Sequence, residues 1–310
     1  MMKRVLPLLL CAVLLAGCAT QPAPTDSTIA FMDDTGAEVL VPLKPQKVAV
    51  LLSSLADLWI TAGGTVDIAV GESIERGFVE DDVVLVDEGA GKTINLEALI
   101  AAEPDFVLYS SDLSGQLECA DALKAAGIPA AGFAVETFED YLELLNICTE
   151  ILDKPENYLV YGRDVQLEVE NLIASAKAQE NQPDILFVRA GSSAKVTKAK
   201  TAENHFVCAM LKNLGTFNIA QKAPILLDGL STEEILMSDP DYILFTTMGD
   251  EEAGAAYMQS LVEDPVWQSM TAVKEGRVYQ LPKELFQYKP NARWAEAYAY
   301  LIQLLYGDIV

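Results

Sequence analysis

A group of basic residues lies in the second half of an otherwise acidic chain. Arg189, Lys195, Lys198 and Lys200 fall within twelve positions, whereas the 310 residues together carry a formal net charge of −25. A protein wall of one charge sign attracts a ligand of the opposite sign. The spacing therefore favours a site for an anionic solute. The alternative interpretation is that the three lysines belong to an ordinary solvated loop.

The single histidine limits which metals the chain could hold. Sites for bare zinc or manganese ions generally collect several imidazole nitrogens, and His205 is the only histidine here. This composition favours a metal that arrives already wrapped in a chelator or macrocycle, and it predicts no metal ligands and no intrinsic cofactor. We interpret His205 as a loop or helix-start residue, with contact to a ligand as the alternative.

Motifs for catalysis or nucleotide binding are incomplete. Gly89 to Thr93 resembles the end of a phosphate-binding loop, but the full motif needs a glycine where Val86 stands, so we predict a tight turn. The sequence has no Gly-x-Ser-x-Gly elbow and only one histidine to act as a general base. We therefore predict no enzymatic activity and no catalytic residues; an exported α/β enzyme is kept as the less favoured alternative.

The N-terminus has the features of an export signal. Lys3 and Arg4 precede a short apolar run that is too short to span a membrane. The run ends in Leu-Ala-Gly-Cys at Cys18, which resembles the lipobox of bacterial lipoproteins. We expect residues 1–17 to be a signal peptide, Cys18 to be lipidated and residues 18–28 to form a tether. The acidic charge argues against nucleic-acid binding and against a polybasic membrane patch, so the lipid anchor should be the only membrane contact.

The cysteines that remain after export do not indicate a disulfide framework. Cys119, Cys148 and Cys208 are odd in number and have no CxxC spacing, so they resemble neither a disulfide scaffold nor a zinc site. We interpret them as small buried hydrophobic residues. A single Cys119–Cys148 bridge is kept as an alternative.

One segment of the chain occurs twice. The segment from Asn95 to Ser111 matches the segment from Ser231 to Thr247 without a gap. The match pairs Glu97 with Glu233, Pro104 with Pro240 and Asp105 with Asp241. The two copies are much farther apart than the roughly 20–50 residues of solenoid repeats. The repeat therefore predicts two similar lobes with a cleft between them.

The remaining pattern predicts the fold. Apolar strand-like runs alternate with helical segments, which indicates an α/β protein with a parallel sheet flanked by helices in each lobe. We expect lobes at 29–153 and 181–310, joined by one long α-helix over 154–180 that begins with Asp153 as its cap and Pro155 in its first turn. Ligands of such sheets bind beyond the carboxyl ends of the strands. This rule selects as ligand-binding candidates Ser53, Ser54, Glu72, Tyr109, Ser111, Arg189, Ser192 and Ser193, and the group of basic residues adds Lys195.

Several of these features together resemble a known family. The paired Glu-x6-Pro-Asp units, the long central helix and the lipobox are similar to the helical-backbone class of substrate-binding lipoproteins. These proteins serve ABC importers of iron–siderophore, haem or cobalamin. Three further segments carry the likeness, which covers about residues 29–305: Asp264 to Trp267, Ala272 to Tyr279, and Lys289 to Trp294.

The resemblance implies a function and further site residues. It implies a receptor, expected to be monomeric, on the outer face of the cell membrane, on the periplasmic side if an outer membrane exists. Such a receptor delivers an iron chelate, haem or corrinoid to a permease dimer with its ATPase subunits. An oxyanion or a small organic molecule is the alternative cargo. Glu97 and Glu233 would dock the permease, although a helix dipole alone also favours glutamate in a first turn. The resemblance adds Phe286, Tyr288 and Lys289 to the ligand-binding candidates, with Arg189 and Lys289 as charge partners and Tyr109, Phe286 and Tyr288 as flat contacts.

Overall fold

Strands and helices alternate along the chain, as the pattern predicts. A computed structural model describes residues 27–87 and 93–308, so Cys18 and the glycines of the Gly89–Lys92 turn lie outside the described residues. The first lobe contains the strands β1 (Thr28–Met32), β2 (Glu38–Pro42), β3 (Val48–Val50), β4 (Ile68–Ala69), β5 (Val84–Leu85), β6 (Phe106–Ser110) and β7 (Ala130–Phe133). Its helices are α1 (Ser53–Thr61), α2 (Gly71–Glu75), α3 (Leu96–Ala101), α4 (Ser114–Ala125) and α5 (Phe138–Leu152).

The connection and the second lobe follow the same plan. The connection contains α6 (Pro155–Tyr158), a π-helical segment (Leu159–Asp164) and α7 (Val165–Lys177). The strands of the second lobe are β8 (Asp184–Ala190), β9 (Lys198–Ala199), β10 (Phe217–Asn218), β11 (Tyr242–Thr247) and β12 (Val278–Gln280). Its helices are α8 (Phe206–Asn213), α9 (Thr232–Ser238), α10 (Glu251–Val262), α11 (Thr271–Lys274), α12 (Lys283–Phe286) and α13 (Trp294–Tyr306).

Each lobe is built on a mainly parallel sheet. The first sheet has the order β5-β4-β3-β6-β7 and all its pairs are parallel. The second has the order β10-β8-β11-β12, with β9 antiparallel to β8. The central strands β3, β6 and β11 are almost wholly buried, because helices cover both faces of such sheets. The strands β1 and β2 form a separate antiparallel hairpin.

The repeated Pro-Asp turns hold equivalent strand pairs together. In the first lobe, the Asp105 carboxylate accepts the backbone N–H groups of Gln46 at 2.8 Å and Lys47 at 3.0 Å. In the second, the Asp241 carboxylate accepts the backbone N–H of Asp184 at 2.9 Å. Each aspartate therefore ties the start of its own strand, β6 or β11, to the start of the adjacent strand, β3 or β8. The repeat is a structural device in both lobes.

The helical connection between the lobes departs from the predicted continuous α-helix. Asp153 does not cap its start: this residue ends α5 in the left-handed region, with φ of 54°. A π-helical segment then separates α6 from α7 and contains the buried Gly162. A Cβ at this glycine would lie 2.8 Å from ring atoms of Tyr158, so the close tyrosine ring favours glycine there.

A continuous hydrophobic core extends through both lobes. It includes Trp59 and Tyr141 from the first lobe, Val169 from α7, and Phe187 and Trp294 from the second. Such a shared core resists separation of the lobes. Across the described residues, no helix is long and apolar enough to cross a membrane.

The three described cysteines are buried free thiols. Cys148 and Cys208 belong to the shared core, whereas Cys119 belongs to a separate apolar cluster on the first sheet. The alternative of a Cys119–Cys148 bridge is therefore wrong, and the interpretation as small buried hydrophobic residues is confirmed.

Candidate ligand-binding cleft

The carboxyl ends of the first sheet face a segment of the second lobe. This bridging segment comprises residues 287–291, between α12 and α13. Its Asn291 is 1% exposed and has φ of 49°. The Asn291 side-chain amide donates to the Ser54 carbonyl oxygen and to the Asp57 carboxylate, both at 2.8 Å. Burial raises the pKa of Asp57, and the hydrogen bond from Asn291 opposes that shift. The two lobes thus meet through buried polar contacts at the predicted edge.

Arg76 joins four of the predicted residues. Its guanidinium donates to the hydroxyls of Ser53 at 2.8 Å and Ser54 at 3.2 Å, and it lies 3.8 Å above the centroid of the Tyr288 ring. The Ser53 hydroxyl donates in turn to the Glu72 carboxylate. Burial lowers the pKa of Arg76, opposed by the Asp57 and Glu72 carboxylates. Ser53, Ser54, Glu72 and Tyr288 therefore form one cluster around a cation.

The sequence analysis did not select Arg76. It follows the short helix α2, one turn after Glu72. The strand-end rule selected residues immediately after β4, and extending the search by one helical turn would have included this arginine.

His205 lies on the opposite wall, near the cations Arg189, Lys200 and Lys289. The histidine caps the start of α8, where its Nδ1 accepts the backbone N–H of Val207 at 3.3 Å. The centroid of its ring lies 4.7 Å from that of Phe187 and 5.3 Å from that of Phe206. Burial is the main cause that lowers the pKa of His205 to about 3, and the positive charges of Lys289, Arg189 and Lys200 contribute to the same shift. His205 is therefore a neutral helix-start residue, as predicted.

Arg189 and Lys200 contribute uncompensated positive charge. Arg189 lies at the end of β8, half-buried on the same strand face as Phe187. Burial lowers the pKa of Lys200, and the charges of Arg189 and Lys198 lower it further. The ion pairs of the described residues include none of Arg189, Lys198 and Lys200. Their charges can therefore act on a solute in the cleft.

Lys289 is positively charged but already paired. Its ammonium lies 2.6 Å from the Glu136 carboxylate of the first lobe and 4.6 Å from the centroid of the Phe206 ring. Burial lowers the pKa of Lys289, and Glu136 opposes that shift. Lys289, the predicted charge partner of the ligand, thus contacts both lobes. In this structure its ammonium is paired with the Glu136 carboxylate.

Two of the predicted aromatic contacts require correction. Tyr109 is 2% exposed and packs in the cluster of Leu123 and Cys119, with its ring against Gly132. Phe286 is fully buried in the shared core, 5.4 Å from the Tyr300 ring. Both rings serve the packing of their lobes, because the sheets are covered on both faces. Tyr288 alone of the three predicted rings reaches the cluster around Arg76.

The remaining candidates lie at the rim. Ser192, Ser193 and Lys195 are exposed in a loop closed by the Thr197 hydroxyl, which hydrogen-bonds to the backbone of Gly191. The structure does not bring them into contact with the Arg76 cluster. Ser111 is half-buried after β6, where its backbone N–H donates to the Phe133 carbonyl oxygen.

Glu97 and Glu233 occupy equivalent exposed positions. They lie in the first turns of α3 and α9, which are capped by Asn95 and Ser231 respectively. The caps accept hydrogen bonds from Ala98 at 3.0 Å and from Glu234 at 3.4 Å. Asn95 and Ser231, rather than the two glutamates, therefore supply the caps of these helices.

A groove adjoins the cleft between the lobes. Its volume is about 240 Å³, and its lining includes Phe138, Phe206 and Trp294. The indole N–H of Trp294 is buried without a hydrogen-bond partner among the described residues. A larger cavity of about 790 Å³ includes Asp241, at the amino end of β11, in its lining, and is therefore at the opposite edge of the sheet from the predicted site. The described residues contain no cluster of three or more His, Cys, Asp or Glu that could hold a metal ion.

Comparison with known proteins agrees with this architecture. The family profile described as periplasmic binding protein matches residues 48–285. The chain belongs to the periplasmic binding protein family. Membership confirms the predicted α/β receptor class and the prediction that the chain is a binding protein rather than an enzyme.

Relatives cover almost the whole chain at low identity. YhfQ of Bacillus subtilis, which carries the name of an ABC transporter substrate-binding lipoprotein, is 22% identical over 94% of each chain. The Fe(3+)-citrate-binding protein YfmC of the same organism is 22% identical over 89% of this chain and 88% of its own.

Solved structures share the fold of this family member. A periplasmic binding protein from Veillonella parvula superimposes with a TM-score of 0.72 at 15% identity, over 91% of this chain and 92% of its own. The haem-binding protein RhuT from Roseiflexus gives 0.69 at 18% identity, over 85% and 99% of the two chains.

Proposed function

We propose that this periplasmic binding protein is the lipid-anchored receptor of an ABC importer and that it binds an anionic metal chelate between its lobes. The observation that carries the proposal is the group of Arg189, Lys198 and Lys200, which lie close enough to act on one another and take part in none of the ion pairs among the described residues. These charges stand out in a chain with a net charge of −25. A positive wall inside a negative protein concentrates anionic solutes in the cleft.

The opposite wall supports the same class of ligand. Arg76 is held by two serine hydroxyls and by the face of Tyr288. A guanidinium fixed in this way is preorganised for carboxylate oxygens. The name of the relative YfmC refers to ferric citrate, whose carboxylates have this chemistry, and ferric citrate is accordingly the first probe.

The position on the cell follows from the N-terminus. We propose that residues 1–17 are removed, that Cys18 carries the lipid and that residues 18–28 tether lobes 29–153 and 181–310, with 154–180 as the connection. The names of relatives such as YhfQ support export and lipidation. The permease and its ATPase subunits would be the partners, and Glu97 and Glu233 would contact the two permease subunits.

A titration of tryptophan fluorescence tests the cargo. Trp294 lines the inter-lobe groove, so bound chelate should quench its emission. We expect saturable quenching by ferric citrate, with haem and cobalamin as the competing probes. Saturation by cobalamin alone would favour a neutral cargo, and no response to any of the three would contradict the chelate proposal.

Arg189→Gln tests the charge argument. A hydrogen bond to a charged group contributes about 1.5–3 kcal/mol, so the substitution should weaken ferric citrate binding by roughly 10- to 100-fold. The affinity should also become less sensitive to salt. Lys124→Gln removes one positive charge from an exposed position on α4 and serves as the control. Equal affinities of the two variants would contradict a role for Arg189.

A further inference from the structure

The ion pair of Lys289 and Glu136 connects the two walls of the cleft. Glu136 follows the carboxyl end of β7, and Lys289 lies in the bridging segment after α12. Their charged atoms are 2.6 Å apart. The pair therefore lies at the sheet edge where the proposed ligand enters, and it links residues from opposite lobes.

The pair lies between acidic residues of the first lobe and basic residues of the second. On the first lobe, Asp112 and Asp140 act on Lys289 together with Glu136. Asp140 is engaged locally, because its carboxylate accepts the backbone N–H groups of Glu136 and Thr137 at 2.9 and 2.7 Å. On the second lobe, Arg189 and Lys289 both act on His205. Among these basic groups of the second lobe, Lys289 is thus the one that pairs with a carboxylate of the first lobe, Glu136.

The exposures of the two side chains show which partner can leave. The Lys289 side chain is 20% exposed, whereas that of Glu136 is 48% exposed. Lys289 is also held over the Phe206 ring. Glu136 can therefore move into water while the ammonium stays in the cleft. An anion that replaces Glu136 must supply comparable negative charge, because a buried ammonium without a partner is costly.

We propose that Glu136 is a specificity-determining residue that acts as an internal counter-ion for Lys289 and must be displaced by an anionic cargo. This inference rests on the proposed function. Glu136 weakens anion binding in two ways, because it occupies the ammonium of Lys289 and repels an incoming carboxylate. Only a solute with several negative charges gains enough from Arg189, Lys200 and Lys289 together to displace it.

Glu136→Gln tests the proposal with ferric citrate as the probe. Glutamine has the same shape and can still accept a hydrogen bond from Lys289, so the lobe contact persists while the competing charge is lost. We expect ferric citrate to bind roughly five- to tenfold more tightly, which corresponds to about 1 kcal/mol from the freed ammonium of Lys289 and the removed repulsion together. Glu143→Gln, an exposed position on α5, removes the same charge and should leave the affinity unchanged.

A double-mutant cycle separates this role from a general charge effect. In a Lys289→Met background the gain from Glu136→Gln should be clearly smaller, because the part that acts through Lys289 is lost and only the direct repulsion of the incoming carboxylate remains. Unchanged or weaker binding by Glu136→Gln, with normal binding by the wild type, would overturn this inference alone. Failure of the wild type to bind ferric citrate, haem or cobalamin would overturn the proposed function and this inference with it. Matching thermal unfolding midpoints would establish that the variants are folded.

Discussion

Burial shifts the acid–base behaviour of single residues in the cleft. It raises the pKa of Asp57 and lowers the pKa values of Arg76 and Lys289. In each case burial disfavours the charged form, and a neighbour of opposite charge or a hydrogen bond opposes it. Asn291 does this for Asp57, and Glu136 does it for Lys289. The cleft therefore keeps charged groups in low solvent exposure through specific partners.

His205 should make the fold sensitive to acid. Its pKa is lowered from 6.5 to about 3 in the folded protein, so the unfolded chain binds the proton more tightly. The contribution of neutral His205 to stability is complete above pH 6.5 and declines as the pH falls from there towards 3. Between pH 7 and pH 5 the free energy of unfolding should drop by about 1–2 kcal/mol from this residue.

The variant His205→Asn checks this expectation. Asparagine can cap α8 in place of the imidazole and does not titrate. Urea unfolding at pH 7 and pH 5 should show a smaller loss of stability in the variant than in the wild type. Identical losses would show that other groups cause the acid sensitivity.

At the scale of elements, the two Pro-Asp units both tie neighbouring strands together, but with different numbers of hydrogen bonds. Asp105 holds two backbone N–H groups, whereas Asp241 holds one. The helices before them end in the same way, with Glu103 and Asp239 both at positive φ. Equivalent positions of the repeat therefore adopt equivalent backbone conformations in both lobes.

Asp105→Ala should destabilise the protein more than Asp241→Ala. With about 0.5–1.5 kcal/mol for each hydrogen bond, we expect losses of about 1–3 and 0.5–1.5 kcal/mol in the free energy of unfolding. Asp121→Ala, at an exposed position on α4, is the control and should change stability little. The order of the two losses in urea unfolding is the measurement, and a larger loss for Asp241→Ala would contradict the hydrogen-bond explanation.

At the scale of the whole molecule, the shared core joins the two lobes, and the repeat places one exposed glutamate on each of them. Trp294 packs 5.5 Å from Phe138 of the first lobe and 5.9 Å from Phe206 of the second. Such packing favours a stiff arrangement of the lobes. Glu97 and Glu233 would then be held at a fixed separation, as a contact with a two-subunit permease requires.

Replacing both glutamates with alanine should abolish uptake by cells and leave ligand affinity unchanged. The loss follows because each carboxylate would pair with a basic residue of one permease subunit, and single variants should retain partial uptake. Glu118→Gln combined with Glu252→Gln removes two exposed carboxylates elsewhere and should leave uptake intact. If the double variant lost ligand affinity but supported normal uptake once saturated with ligand, the two glutamates would be ligand-binding rather than permease-contacting residues.

The sequence by itself determined the elements and their repetition. The duplicated segment forms a helix followed by a strand in each lobe, α3 and β6 in the first and α9 and β11 in the second, because caps, breakers and apolar periodicity act between residues close in the chain. Helix α10 was not predicted, and the connecting helix contains a π-helical segment that periodicity does not reveal. The two mainly parallel sheets also follow from the sequence, whereas the position of the site at the carboxyl ends of their strands stays a prediction.

Only the tertiary structure decided which side chains meet in the cleft. Arg76 stacks on Tyr288, and Glu136 pairs with Lys289, across long stretches of chain. The pattern could not separate Tyr288 from Phe286 either, because an apolar ring suits both a core and a cleft. Burial and charge pairing depend on what the rest of the fold places nearby, so residue types and local spacing predict the edge of the proposed site but not its contacts.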